Sequence, residues 1–176
     1  MRRTEEQLKR VSTTDAVTGT LNRQGMERTL DTEIEHAVRY SGSLSMIMLD
    51  IDGFRQLNER LGYSACDKIL KDLAAAVKSN ILLTDFLGRW GGDEFMILTP
   101  LPLASAVQLA EKLRDMAQHV TFGENNRLTF STGVAAFHKS MDVSSFVGAA
   151  YDAMVEAKRG GGNRTKQSRE HETQLP

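Results

Sequence analysis

The sequence predicts an α/β (α+β) domain built on a ferredoxin-like βαββαβ core with extra helices. Three observations point there. Apolar residues recur every three to four positions in five separate stretches, the spacing of helices with one buried face. Between those stretches lie three β signals: an apolar run over 44–49, a glycine-broken pair of runs over 85–98, and an alternating stretch over 127–137. Strand, helical crossover, hairpin, helix, strand is the order of a βαββαβ unit.

Each element has its own signal. Residues 1–14 are polar and charged, with Leu8 and Val11 at helical spacing, and read as a helical lead-in at the end of a linker. Asp15 to Arg23 is rich in turn formers and opens a helix whose face is Met26, Leu30, Ile34, Ala37 and Val38. The run over 44–49 lacks clean alternation, as a strand buried on both faces does. Residues 54–61 form a short helix, and 64–77 a longer one through Ile69, Leu70, Leu73 and Val77. In the hairpin, Gly91 and Gly92 supply a two-residue turn with Asp93 and Glu94 at its exit. Pro100 and Pro102 break the second hairpin strand and start a helix along Leu103, Val107, Ala110, Leu113 and Ala117. Leu128, Phe130, Thr132 and Val134 alternate as a strand does. The last helix follows Val143, Val147, Ala150, Tyr151 and Met154 and ends at Lys158 and Arg159, before three glycines. Residues 165–176 hold only Leu175 as an apolar side chain and are expected to be a disordered tail.

Composition bounds the function. The chain has 176 residues, 40% of them hydrophobic and 26% charged, which suits one ordinary globular domain. A net charge of −1 gives no electrostatic reason to expect nucleic acid or an anionic membrane as partner. No apolar stretch approaches the roughly 20 residues of a membrane span, and the opening lacks a signal-peptide pattern. The single cysteine, Cys66, cannot form an internal disulfide and fits a reducing compartment. The expectation is a cytoplasmic domain that does not itself contact membrane.

One constellation carries chemistry. Asp50 follows the apolar run over 44–49, and Asp93 and Glu94 follow the glycine pair. If the two strands are neighbours, these carboxylates converge beside an open, glycine-lined space. Hard oxygen ligands in such a space suit Mg²⁺ that shares its shell with phosphates.

The residues also form a pattern: Asp15, Thr18, Gly19, Asn22, Arg23; then Asp50, Ile51, Asp52, Gly53, Phe54, Arg55, Asn58 and Asp67. Arg89, Trp90, Gly91, Gly92, Asp93, Glu94, Phe95 follow, then Ser131 to Val134, and then Tyr151, Asp152, Ala153, Ala157 and Lys158. In order and spacing these blocks resemble the GGDEF family, the diguanylate cyclases, which condense two GTP into cyclic di-GMP. The resemblance covers about residues 15–164 and implies the nucleotidyl-cyclase-like GGDEF fold.

It also implies roles. Asp50, Asp93 and the Ile51 carbonyl are the expected ligands of two Mg²⁺ or Mn²⁺ per active site. Glu94 either orients the attacking 3′-hydroxyl or takes its proton; in the alternative assignment the base is Asp93. Gly91 and Gly92 let the nucleotide lie against the backbone. Gly53, Phe54 and Arg55 match the loop that holds the β- and γ-phosphates, with Phe54 itself a core residue. Asn58 and Asp67 match the pair that reads guanine, Tyr63 lies near base and ribose, and Lys158 matches a triphosphate lysine. The implied partners are GTP, a second copy of the domain for catalysis, and an upstream sensor in a longer parent chain.

The chain departs from the family pattern at several positions. Glu59 stands for an aspartate, Tyr63 for a histidine, Cys66 for a glycine, and Gly162 for an arginine on the triphosphate. Leu82, Leu83, Thr84 and Asp85 occupy the Arg-x-x-Asp product site without its arginine. The departures at Tyr63, Cys66 and Gly162 keep one alternative open, a GTP-binding GGDEF-like regulatory module without turnover; a third reading is a related nucleotide cyclase or polymerase-like domain acting on another triphosphate.

Overall fold

A computed structural model of the protein describes residues 13–169. The elements are α1 (Arg23–Tyr40), β1 (Ser45–Ile51), α2 (Phe54–Leu61), α3 (Tyr63–Lys78), β2 (Phe86–Gly91) and β3 (Glu94–Thr99). They continue with α4 (Leu103–His119), β4 (Phe130–Ala136), α5 (Val143–Arg159) and β5 (Thr165–Gln167). The five strands form one sheet in the order β2-β3-β1-β4-β5. All pairings are antiparallel except β4 with β5. Without β5 this is the predicted βαββαβ core.

β1 lies at the centre, and every one of its residues is buried. Ile47, Leu49 and Ile51 pack with Ile69 and Leu73 of α3 and Leu113 of α4. Met46 and Met48 pack on the other face, with Leu30 of α1 and Phe146 and Met154 of α5. Two covered faces explain why the run reads as continuous apolar sequence rather than as alternation. The parity also sends Asp50 to the face shared with Met46 and Met48, the side of α5.

Local chemistry sets the helix ends. The Asn22 side chain accepts from the Gly25 N–H at 2.9 Å and starts α1. Asp142 does the same for Ser145 at 2.7 Å and starts α5. Where α5 crosses β4 the sheet offers Gly133, at which a Cβ would lie 2.0 Å from the Ala150 carbonyl oxygen. That close approach brings the C-terminus of α5 to the end of β1.

Several expectations change. β1 runs on to Ile51, so Asp50 sits inside the strand rather than closing it. The hairpin turn is Gly92 and Asp93: Gly91 is paired with Glu94, and the register shifts between Arg89 and Gly91. The extra residue, Trp90, is a bulge that moves the turn one position along. Asp93 therefore sits in the turn and Glu94 opens β3. β4 begins at Phe130 rather than 127, because Phe122 and Asn126 close their own turn through mutual backbone hydrogen bonds of 2.8 and 2.9 Å.

Thr165–Gln167, expected within a disordered tail, is a strand. Its pairing needs no apolar side chain: the Ser168 N–H donates to Val134 at 2.7 Å, and the Thr132 and Thr165 hydroxyls are 2.7 Å apart. The helical lead-in expected over 1–14 falls outside the described residues except for its end, where Thr14 bridges Leu21. The tail over 170–176 also lies outside them.

Candidate active site

The register places the site. Asp50 of β1 is opposite Glu94 of β3 on one side and Ser131 of β4 on the other. The Ile51 N–H reaches the Asp93 carbonyl at 3.4 Å, so the Gly92, Asp93 turn stands over the end of β1. The convergence of Asp50 with Asp93 and Glu94 follows directly from β1 and β3 being neighbours.

Lys158, in the last turn of α5, completes the group. Its ammonium lies against Asp50 Oδ1 as an ion pair and donates to the Ile51 carbonyl at 3.3 Å. The contact with Oδ1 is off the line of a hydrogen bond, so this buried oxygen has no aligned donor. A cation thus already rests on the two oxygens that the family resemblance gives to a metal. Burial pushes the Asp50 carboxyl up to about 7, with the Asp93 charge adding to the rise and Lys158 offsetting part of it. Burial, and then Asp93, also raises Glu94, against the pull of Lys158 and Arg23.

Among the described residues no three His, Cys, Asp or Glu side chains converge as a metal centre. The donors are two carboxylates and a carbonyl, and Lys158 already rests on the Asp50 oxygen and the carbonyl. This set fits a hard divalent ion that completes its shell with water and phosphate oxygens.

Beside these groups is a cavity of about 580 Å³ lined by Phe54, Arg55, Asn58, Glu59, Tyr63, Gly92 and Asp93. Its size is that of a small-ligand pocket. Gly53, at φ +66°, turns the chain into α2 without a side-chain cap, so the first amides of that helix are free for an anion. Phe54 is buried in the core, as expected. Arg55 is 87% exposed and paired with Glu59 at 3.2 Å. The Tyr63 ring is 82% exposed at the cavity mouth. Gly92 faces open space, whereas a Cβ at Gly91 would lie 3.5 Å from Glu94 Oε2.

Asp67, expected beside the base with Asn58, does not line this cavity. Cys66 turns into the core at 1% exposure, which leaves Asp67 on the outer face of α3. There it borders a separate groove with Ala16, Val17, Lys68 and Lys71.

Sequence reasoning assigned no role to several residues that organise the site. Arg89 donates from Nε to the Gly92 carbonyl at 2.8 Å and from Nη1 to both Asp15 oxygens at 3.4 Å. Burial would lift the Asp15 carboxyl, but Thr18 and Arg89 outweigh it and hold the group below the ordinary carboxylate range. The Arg23 guanidinium lies 4.5 Å from the centre of the Trp90 ring. Asp52 accepts from Thr129, Ser131 and the Asn163 amide. These partners lie far from Asp52 in sequence, so its place was not visible before the fold.

Known proteins resemble this chain. Residues 12–164 match the family described as "Diguanylate cyclase, GGDEF domain". The diguanylate cyclase DgcP of Pseudomonas aeruginosa is 35% identical over 155 residues, which cover 86% of this chain and 23% of that protein. The diguanylate cyclase DosC of Escherichia coli is 32% identical, with 86% of this chain and 34% of that protein covered. The chain thus spans about a quarter to a third of the length of these relatives. Among solved structures, the coiled coil and GGDEF domain of DgcB from Caulobacter crescentus, in complex with c-di-GMP, superposes with a TM-score of 0.89. It is 25% identical, over 95% of this chain and 91% of that one. The match of residues 12–164, with the site lying inside them, establishes that this chain belongs to the diguanylate cyclase GGDEF-domain family.

Proposed function

We propose that this chain is the catalytic domain of a diguanylate cyclase: two GTP give cyclic di-GMP and two pyrophosphates. The observation that carries the reading is the meeting of Asp50, Asp93 and Glu94 at one end of a cavity of about 580 Å³. Family membership supports it.

In this reading each domain holds one GTP, and two domains face each other. The base lies in the cavity near Asn58, with Tyr63 against it and Asp67 approaching from the neighbouring turn of α3. The phosphates lie over the amides at the start of α2, near Arg55, with Lys158 on the triphosphate. Asp50, Asp93 and the Ile51 carbonyl hold two divalent ions, Mg²⁺ or Mn²⁺. When bound, these ions neutralise phosphate oxygens and acidify the attacking hydroxyl. Glu94 orients the 3′-hydroxyl of its own GTP or takes the proton. That oxygen bonds to the α-phosphorus of the facing GTP, the bond to the β-phosphate bridging oxygen breaks, and pyrophosphate leaves. The mirror step closes the ring. Dimerisation is then the control point, set by a sensor elsewhere in a longer, cytoplasmically exposed parent.

A second reading, a module that binds GTP without turning it over, is favoured by the position of Asp67 outside the cavity and by the missing side chain at Gly162. Incubation with GTP and Mg²⁺, followed by chromatography, separates the two. The cyclase reading requires cyclic di-GMP that disappears in the Asp93→Ala/Glu94→Ala protein. GTP binding without product, even when dimerisation is enforced, favours the module.

A further inference from the structure

Asp52 lies two residues beyond Asp50, at the point where β1 gives way to the loop ahead of α2. Thr129 donates its hydroxyl to Oδ2 at 2.8 Å, and Ser131 donates its hydroxyl to Oδ1 at 2.7 Å. The Asn163 N–H donates to Oδ2 at 2.8 Å. Both carboxylate oxygens are therefore used within the protein.

What Asp52 holds is an unusual piece of backbone. Gly161, Gly162 and Asn163 are three consecutive left-handed residues, at φ +111°, +73° and +46°. The two glycines take these angles freely, whereas Asn163 is held in its own by hydrogen bonds. At Gly162 a Cβ would lie 3.0 Å from the Asp52 carboxylate, so the bare backbone of this turn is packed against the acid. The Asn163 side chain secures the far side: its Oδ1 accepts from Arg114 at 3.1 Å and its Nδ2 donates to Gln118 at 3.1 Å.

This turn ends α5, and Lys158 lies in the last turn of that helix. The end of β1 and the end of α5 are thus joined by two rungs. Lys158 lies on Asp50 and the Ile51 carbonyl, and the Asn163 amide lies on Asp52. The first rung is part of the binding machinery, and the second is its anchor.

We propose that Asp52 is a positioning residue: by fixing the turn over 160–163 it holds the Lys158 ammonium at the Asp50 and Ile51 oxygens. For catalysis this rests on the cyclase reading above, with Lys158 on the triphosphate. The placement of Lys158 itself is independent of that reading.

The hydrogen-bond pattern makes a sharp distinction between variants. An asparagine at 52 retains the pattern: its oxygen accepts from Thr129 and Asn163, and its amide donates to the Ser131 hydroxyl. An alanine loses all three bonds. The test is acylation of surface amines with acetic anhydride in the full chain without nucleotide, read at each lysine by peptide mass spectrometry. In Asp52→Ala, Lys158 labelling rises several-fold relative to Lys71 and Lys139. In Asp52→Asn it stays near wild type. Unchanged relative labelling of Lys158 in folded Asp52→Ala, or an equal rise in both variants, overturns the proposal. If Asp52→Ala does not fold, Ser131→Ala removes one of the three donors, and unchanged Lys158 labelling there overturns it.

GTP affinity, measured with Mg²⁺, supplies the second readout. Asp52→Ala/Lys158→Ala should bind GTP no more weakly than Lys158→Ala alone, because Asp52 acts through the lysine. Losses that simply add contradict this. A wild-type protein that neither binds nor converts GTP refutes the cyclase reading, and the labelling result still decides the role of Asp52.

Discussion

Lys158 at the end of α5 and Asp50 near the end of β1 form an ion pair, in contact at the position where the family resemblance puts a divalent metal ion. The pair links the two halves of the candidate site, carboxylates from the sheet and a cation from the last helix. The ammonium favours the ionised form of Asp50 and offsets part of the rise that burial and Asp93 impose on it.

Removing that cation should weaken nucleotide binding. Lys158→Ala loses a charge-assisted contact of about 1.5–3 kcal/mol, roughly tenfold to a hundredfold in affinity. Calorimetric titration with GTP checks this, and an unchanged Kd would take Lys158 out of the site.

The Asp50 carboxyl predicts an unusual dependence on pH. The folded protein keeps this proton up to about pH 7, whereas an ordinary aspartate releases it at 3.8. Between those values the folded state binds more protons than the unfolded one, so the Asp50 contribution to stability falls as pH rises. Asp50→Asn should remove that contribution, with the stability difference from wild type shifting in its favour between about pH 4 and about pH 7 in metal-free urea titrations. Divalent-ion affinity of the wild type should rise through the same range. A difference that does not vary with pH would show that Asp50 is ionised throughout.

Arg89 joins the hairpin turn to the loop ahead of α1. Its contact with Asp15 is largely shielded, with the two side chains 17% and 19% exposed, and its bond to the Gly92 carbonyl lies at the surface. Arg89→Ala is expected to cost about 1.5–3 kcal/mol, and Arg89→Lys to restore little of it, because an ammonium cannot reach both partners as the guanidinium fork does. Urea unfolding midpoints measure both, and full rescue by lysine would contradict the bridging role.

Gly133 allows α5 to lie on β4. In Gly133→Ala the new methyl meets the backbone of Ala150 and Met154 at 2.0 and 2.2 Å, and neither can withdraw alone. A loss of about 1–3 kcal/mol or more is expected, together with weaker GTP binding as α5 carries Lys158 away. Thermal unfolding and titration of the same sample test the link, which fails if stability drops but affinity does not.

At the family's product site the chain presents Leu82, 61% exposed, and Leu83, fully exposed, with Asp85 accepting the Leu82 N–H at 2.8 Å. Cyclic di-GMP should therefore not inhibit non-competitively through this loop, and Leu82→Arg should create such inhibition. Initial rates at varied product concentration distinguish the two proteins.

Much of this site was legible in the sequence because it depends on short-range pattern. The glycine-broken apolar runs give the hairpin, and the run over 44–49 gives the central strand. Their pairing then brings Asp50 beside Asp93 and Glu94. What was not legible depends on backbone contacts between distant segments. β5 contains no apolar residue and exists because β4 offers a free edge. The one-residue shift of the turn comes from the bulge at Trp90, which nothing in the glycine pair announces. Asp52 takes its meaning from Thr129, Ser131 and Asn163, which lie far from it in sequence. The outward position of Asp67 follows from the phase of α3, whose buried face runs through Cys66, Ile69, Leu70 and Leu73.

The central claim is that two domains, each holding one GTP, together make cyclic di-GMP. The most direct test is the initial rate of product formation per domain, measured at saturating GTP and Mg²⁺ over a wide range of domain concentrations. The claim predicts a specific activity that rises with concentration until dimerisation saturates, and that is abolished by Asp93→Ala/Glu94→Ala. A specific activity independent of concentration in a monomeric protein would contradict the shared site. Absence of product from an enforced dimer that still binds GTP would contradict the cyclase.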